Sequence, residues 1–242
     1  MKYIIFSDVH SNLEALNAFV EQINRIEYDK IACLGDIVGY GADPNPLIDW
    51  VRRNCDILLA GNHDYAAVDK TDSSYFNSYA RASCEWTKEA LSEENKSFLT
   101  YLPNETVTDG IYWVHSSPHE PDKWHYVVSK AKADLHFAQF QEPMCFLGHS
   151  HCPLILEESP TGEIEIYFNS SFQLKPEHRY IINVGSLGQP RDGNNQPAFV
   201  VYDSESGQID FHRFDYDRAM TQKKIIENGL PEYLAERLSH GA

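Results

Sequence analysis

No stretch of the chain approaches the ~20 consecutive apolar residues that a membrane-spanning helix requires. The opening apolar run, Tyr3-Ile4-Ile5-Phe6, stops at Ser7 and Asp8. Neither a membrane partner nor a secretory leader is therefore expected, and the cytoplasm is the expected location. Positive charge is also scarce: 20 Lys and Arg stand against 36 Asp and Glu, a formal net charge of −16, and no basic cluster occurs. A protein that binds long nucleic acid needs a basic face to displace counterions, which argues against DNA or RNA. A small phosphorylated molecule, neutralised locally by metal ions, is still admitted. The five cysteines, at 33, 55, 84, 145 and 152, are odd in number and show no paired spacing. Several lie in apolar runs, such as Met144-Cys145-Phe146-Leu147, and are expected to be buried reduced thiols. Linkers, low-complexity tracts and internal repeats are lacking as well.

What is present is an ordinary globular composition, 42% hydrophobic and 23% charged, over 242 residues. That length suits one large domain, expected to run over residues 1–242. The first sixty residues alternate strand and helix. Short apolar runs at 2–6, 31–34 and 57–60 predict buried strands. Ser11-Asn12-Leu13-Glu14 fits a capping box, and Leu13, Leu16, Phe19, Val20 and Ile23 follow at helical spacing. Pro44 and Pro46 suit the first turn of a second helix. A β-α-β-α-β series implies a parallel sheet with right-handed crossovers.

Farther on, residues 74–102 read as mostly helical. Strands are expected at 111–114 and 144–147, with a helix over 129–140 between them. Past residue 150 the runs at 154–156, 164–168, 180–184, 198–202 and 209–214 predict a second, largely antiparallel sheet. Its turns are Pro160-Thr161-Gly162 and Glu205-Ser206-Gly207. The tail over 217–238 is expected to be helical, with a break at Gly229-Leu230-Pro231. The expected fold class is α/β: two face-to-face mixed sheets flanked by helices, a four-layer α/β/β/α sandwich.

The strand ends carry the chemistry. The runs at 2–6, 31–34, 57–60, 111–114 and 144–147 lead into Asp8-Val9-His10, Gly35-Asp36, Gly61-Asn62-His63-Asp64, His115, and Gly148-His149-Ser150-His151. In open parallel sheets, ligands bind outside the carboxyl ends of the strands, so these distant residues converge on one edge. Asp, His and Asn are ligands for Zn, Mn or Fe. Any one of these pieces alone is weak; five of them, each directly after an apolar strand, form a consistent set.

With those segments in this order, the sequence resembles the calcineurin-like metallophosphoesterase superfamily. The segment from Asn183 through Gly185, Gly188 and Arg191 to Gly193 also looks like a loop of its smaller bacterial members. The resemblance implies that Asp8, His10, Asp36 and His151 bind one divalent ion. Asp36 would bridge to a second ion, completed by Asn62, His115 and His149. The ions expected are Mn²⁺, Fe²⁺/Fe³⁺ or Zn²⁺. His63 would face the substrate as general acid or phosphate contact. Asp64, where other members carry Glu, is assigned here to orienting or protonating His63.

General chemistry agrees with these roles. Two dications about 3.5–4 Å apart can hold a bridging hydroxide and clamp both the attacking and leaving oxygens of an in-line displacement. Two dications less Asp8, Asp36 and a hydroxide leave about +1, enough to attract a phosphoryl group, so a neutral Asn62 suits the second ion. Arg191 could pair bidentately with phosphate. Asn12 serves either the site or, with more weight, a helix cap; Gly39, Tyr40 and Gly41 border the site or form a simple loop. His119, His125, His136, His178, His212 and His240 are read as surface or core residues. Tyr65, Tyr75, Trp124 and Tyr126 are loop aromatics that either pack or stack on a base.

The leading expectation is a phosphoesterase acting on a monoester, a diester or a dinucleoside polyphosphate. The alternative is a catalytically silent scaffold on the same fold. A nuclease for long nucleic acid is disfavoured by charge. A homo-oligomer through an edge strand is permitted but not required.

Overall fold

The computed structural model describes all of residues 1–242. The alternating amino-terminal segment forms β1 (Lys2–Phe6), α1 (Leu13–Ile23), β2 (Lys30–Cys33), α2 (Pro44–Asn54) and β3 (Ile57–Leu58). Next come α3 (Asn62–Ala67), α4 (Ser78–Ala90) and α5 (Glu93–Tyr101). The chain continues through β4 (Glu105–Thr108), β5 (Ile111–Val114), α6 (Ala133–Phe137) and β6 (Met144–Leu147). It then runs through β7 (Leu154–Glu158), β8 (Ile164–Tyr167), β9 (Ser171–Gln173), β10 (Arg179–Asn183), β11 (Ala198–Asp203) and β12 (Gln208–Arg213). Helices α7 (Arg218–Glu227) and α8 (Glu232–Glu236) and a 3₁₀ turn at Arg237–Ser239 close it.

Two six-stranded sheets result, in the orders β3-β2-β1-β11-β12-β9 and β4-β5-β6-β10-β7-β8. Each holds three adjacent parallel strands: β1, β2 and β3 in the first, β5, β6 and β10 in the second. Both are mixed, as expected, but one expectation is corrected. The strands beyond residue 150 do not make a sheet of their own. β9, β11 and β12 complete the first sheet, while β7, β8 and β10 complete the second. Strand periodicity says which residues share a face, not which sheet a strand joins; β11 is apolar on both faces and fits beside β1, with Ile4 opposite Val201.

Side-chain alternation makes the layers. Tyr3 and Ile5 of β1 point into the core between the sheets, with Trp113, Phe146, Ile182 and Val200; the rings of Tyr3 and Trp113 lie 5.9 Å apart. Ile4 and Phe6 point the other way, onto Leu16 and Phe19 of α1 and Leu47 and Val51 of α2. On the second sheet's outer face, Val114, Cys145 and Ile181 pack under Val127, Ala133, Phe137 and Phe140. The four-layer α/β/β/α arrangement is therefore the one expected. None of the five cysteines is paired, and no helix is long and apolar enough to cross a membrane.

Other differences are local. The cap of α1 is Asn12, whose Oδ1 accepts from Ala15 N at 3.1 Å; Ser11 instead takes a left-handed φ of 51° and bonds Ile37 O through its amide. β3 ends at Leu58 because Ala60 N turns to Pro103 O. The helix expected over 129–140 contracts to α6, preceded by Lys132 at φ 60°. β4 and β9 carried no apolar run; both are partly polar edge strands.

Candidate functional site

The loops after β1, β2, β3, β5 and β6 meet at one edge, laced by backbone hydrogen bonds. Asp8 N donates to Gly35 O at 2.9 Å, His10 N to Asp36 O at 3.0 Å and Gly148 N to His115 O at 2.9 Å. Asp8, His10, Ser11, Asp36, Tyr40, His149 and His151 all adopt φ between 49° and 62°. Such conformations cost on the order of 1–3 kcal/mol each and persist where surrounding contacts over-determine them. Two glycines permit close approach to the site carboxylates. A Cβ on Gly148 would strike Ser7 Oγ and Asp8 Oδ2, and one on Gly61 would strike the Asp36 carboxylate.

Each central carboxylate is divided between backbone and site. Asp8 Oδ2 accepts from His149 N at 2.9 Å, leaving Oδ1 at 3.2 Å from His151 Nε2 and 3.9 Å from His10 Nε2. Asp36 Oδ1 accepts from His63 N at 2.8 Å, leaving Oδ2 at 3.5 Å from His115 Nε2 and 3.7 Å from His10 Nε2.

Four histidines are held in one tautomer. His10 Nδ1 meets Val38 O at 3.0 Å, His115 Nδ1 meets Leu34 O at 2.8 Å, and His151 Nδ1 meets Gln189 O. His149 is the reverse, with Nε2 at 2.8 Å from Trp124 O. A carbonyl only accepts, so the bonded nitrogen carries the hydrogen and the other presents a lone pair. Metal-binding imidazoles are oriented in this way.

The free nitrogens of His10 and His151 lie 3.1 Å apart. Two lone pairs so placed repel unless a cation lies between them. Asp8 Oδ1, Asn62 Oδ1 and His115 Nε2 are buried without hydrogen-bond partners. Unsatisfied buried groups are costly, and a cation would satisfy all three. The side chains form two groups suited to metal, Asp8/His10/Asp36/His151 and Asp36/His115/His149, in each of which the ligand atoms lie within 4.8 Å of one another. The residues present thus fit a pair of adjacent ions that share Asp36.

Electrostatics point the same way. Burial works against ionising Asp8 and Asp36, yet the neighbouring His151 and His115 hold both carboxylates below their ordinary range. His115 is also buried, but Asp36 and Asp8 pull its pKa up to about 9. This pocket takes up a proton where a dication would otherwise supply positive charge. Burial lowers His149 to about 3 and His63 to about 4, and lowers His10 and His151 too.

His63 stands apart from those four. It follows Asn62 at the start of α3, and its Nδ1 is buried with no partner. The ring lies against Tyr40 at 4.4 Å, Phe76 at 4.7 Å and His10 at 5.0 Å. The assignment of Asp64 to His63 is corrected. Its carboxylate accepts from Gly61 N at 2.9 Å, Val38 N at 3.0 Å and Ile37 N at 3.2 Å, and forms no hydrogen bond to the His63 ring. Asp64 ties the β2 loop to the β3 loop. Burial and the nearby Asp36 charge push its pKa up to about 7.

Arg191 donates to Gln189 Oε1 at 2.8 Å, and its guanidinium carbon lies 5.5 Å from the centre of the Tyr40 ring. Asn12 is the cap of α1 and also donates to Gly188 O at 2.9 Å. Tyr65 is buried, its hydroxyl on Leu102 O, so it is not available to a ligand; Tyr126 is exposed and stacks on His149 at 4.5 Å. Two organisers escaped the sequence reading. Asn183 Nδ2 holds Gly148 O and Ser150 Oγ, and Ser186 Oγ donates to Asp8 O at 2.8 Å. Asn183 had a signal, a polar residue ending a buried strand. The carbonyls of Leu34, Val38, Trp124 and Gln189 had none.

Known proteins agree with this geometry. Residues 1–207 match the calcineurin-like phosphoesterase superfamily domain. An uncharacterised protein of Methanocaldococcus jannaschii is 38% identical over 98% of this chain and 97% of its own. The crystal structure of a metallophosphoesterase from Sphaerobacter thermophilus superposes with a TM-score of 0.88 at 37% identity, covering 100% of this chain and 99% of that one. A hypothetical protein from Pyrococcus horikoshii OT3 gives a TM-score of 0.81 over 100% of this chain and 98% of that one; at 19% identity this is a likeness of fold. With that match, and with two buried His/Asp groups sharing Asp36, the chain belongs to the calcineurin-like phosphoesterase superfamily.

Proposed function

We propose that this protein hydrolyses a small phosphate ester at a centre of two divalent ions. The observation that carries this reading is the pair of buried ligand groups joined through Asp36, with each histidine's lone pair fixed by a backbone carbonyl. Asp8, His10, Asp36 and His151 would hold one ion; Asp36, Asn62, His115 and His149 the other. Such a pair, when bound, supplies Lewis acidity and a source of nucleophile at neutral pH. Mn²⁺, Fe²⁺/Fe³⁺ and Zn²⁺ all suit these donors.

The remaining roles fall to side chains that hold no ion. His63 offers a buried, unpartnered nitrogen beside both groups. Burial keeps its ring neutral at pH 7 in the free protein. An anionic phosphoryl group beside it would raise that pKa and return the ring towards proton donation to the leaving oxygen. Arg191 has a buried Nε without a partner and pairs with no carboxylate within 4 Å, so its guanidinium can donate to two phosphoryl oxygens.

The test is hydrolysis of p-nitrophenyl phosphate and bis-p-nitrophenyl phosphate by metal-stripped protein, with and without Mn²⁺. Metal-restored turnover that disappears in Asp36→Asn supports the reading. Bound metal with no turnover for any divalent ion would replace it with the binding scaffold.

A further inference from the structure

Tyr40 has two guanidiniums close to its ring. Arg191 lies 5.5 Å from its ring centre on one approach, and Arg237, from the 3₁₀ turn after α8, lies 5.9 Å away. The same ring touches His63 at 4.4 Å and His10 at 4.6 Å, so the arginines adjoin the candidate metal centre. Arg237 belongs to a part of the chain beyond the segment matched to the family domain, which ends at residue 207.

No Asp or Glu side chain lies within ion-pairing distance of either guanidinium. Arg52, Arg53, Arg179 and Arg213 each pair with a side-chain carboxylate within 4.0 Å; Arg191 and Arg237, like Arg25, Arg81 and Arg218, do not. Arg191 spends one nitrogen on Gln189 Oε1 and leaves its buried Nε free. Arg237 donates Nε–H to the main-chain oxygen of Ala242, the last residue of the sequence, at 2.5 Å and keeps its two terminal nitrogens, and its guanidinium also lies 5.5 Å from the Tyr233 ring. Tyr233 in turn stacks on Tyr79 at 4.6 Å, which fixes the turn that carries Arg237. What sets Arg191 and Arg237 apart is their place: both lie within 6 Å of one ring that touches His10 and His63, with guanidinium N–H groups left to donate to an anion.

We propose that Arg237, together with Arg191 and across the face of Tyr40, forms a second phosphate subsite, so that the preferred substrate is a small phosphate ester carrying a second phosphate. The inference rests on the phosphoesterase reading for the first subsite. Arg191 serves the inner side, nearest His63; Arg237 serves the outer side and selects the doubly phosphorylated ligand. A mononucleotide with one phosphate would fill the inner subsite alone.

The experiment is isothermal titration of Mn²⁺-loaded His63→Ala protein with adenosine 3′,5′-bisphosphate and with adenosine 5′-monophosphate. The bisphosphate should bind about tenfold tighter, the worth of one charge-assisted contact. Adding Arg237→Met should remove that preference, and Arg237→Lys should keep part of it. The preference is a ratio measured on one sample, so partial loss of folded protein cannot imitate its disappearance. Equal affinity for the two ligands, or Arg237→Met weakening both alike, would overturn the subsite. If the wild type turns over no p-nitrophenyl ester yet the preference persists, the hydrolase reading fails and the anion subsite stands.

Discussion

Asn183, at the end of β10, donates from Nδ2 to the Gly148 carbonyl oxygen at 2.7 Å, anchoring the loop that carries His149 and His151. The same nitrogen reaches Ser150 Oγ at 2.8 Å, and Asn183 Oδ1 accepts from Gly185 N at 2.9 Å. One fully buried side chain thus fixes the position of two candidate ligands.

Replacing it with Asn183→Leu, of similar size, would leave three polar groups without this partner. Stability should fall by about 3 kcal/mol, and metal affinity by about tenfold or more, as when outer supports of a metal site are removed. Urea unfolding and metal titration read the two effects. Unchanged affinity would show that the loop needs no such anchor.

Asp36 is common to both ligand groups, whereas His115 belongs to one. Asp36→Ala should therefore lose both ions on dialysis, and His115→Ala should retain the ion of the Asp8/His10/Asp36/His151 group. Metal analysis of the dialysed proteins gives the count directly. Loss of both ions from His115→Ala would count against two separable sites.

His63 lacks the carbonyl lock that fixes the four ligand histidines. His63→Ala should keep its metal content while kcat falls by about 10²–10⁴-fold on an alkyl phosphate, the usual worth of proton transfer. The loss should be smaller on p-nitrophenyl phosphate, whose leaving group needs no proton. An equal loss on both substrates would point to phosphate contact alone.

Glu157 tests the fold far from the metal centre. It is buried on β7, accepts from Tyr167 and Tyr180 hydroxyls at 2.8 and 2.9 Å, and meets Lys175 Nζ and His178 Nδ1 at 2.9 Å. Burial alone would raise its pKa, but Lys175 and the tyrosines lower it below the ordinary value of 4.5. A carboxylate with a lowered folded-state pKa stabilises the fold fully above its unfolded value. That contribution fades as pH falls below 4.5 towards the folded value. Glu157→Gln should cost about 2 kcal/mol at pH 7 and show a flatter acid limb in unfolding experiments from pH 5 to pH 3. An identical limb in both proteins would rule Glu157 out as its source.

The sequence by itself determined ten of the twelve strands, all but β4 and β9, together with the layer class and the candidate ligands. Those follow from local facts: an apolar run of strand length with Asp, Asn or His just past its carboxyl end, in three cases after Gly35, Gly61 or Gly148. Asp8, His10, Asp36, His115, His149 and His151 could be named because side-chain chemistry and strand position are both written locally. Only the tertiary structure decided the rest. Which sheet β9, β11 and β12 join depends on packing that the period-two pattern does not encode. The tautomers of the four histidines are set by backbone carbonyls, which every residue has and no residue type advertises. Asp64 was assigned to its neighbour in sequence, but its carboxylate turned to the amides of Gly61, Ile37 and Val38, which only folding brings within reach. Arg237 comes to Tyr40 across nearly two hundred residues for the same reason: the chain folds back, and proximity in space is not proximity in sequence.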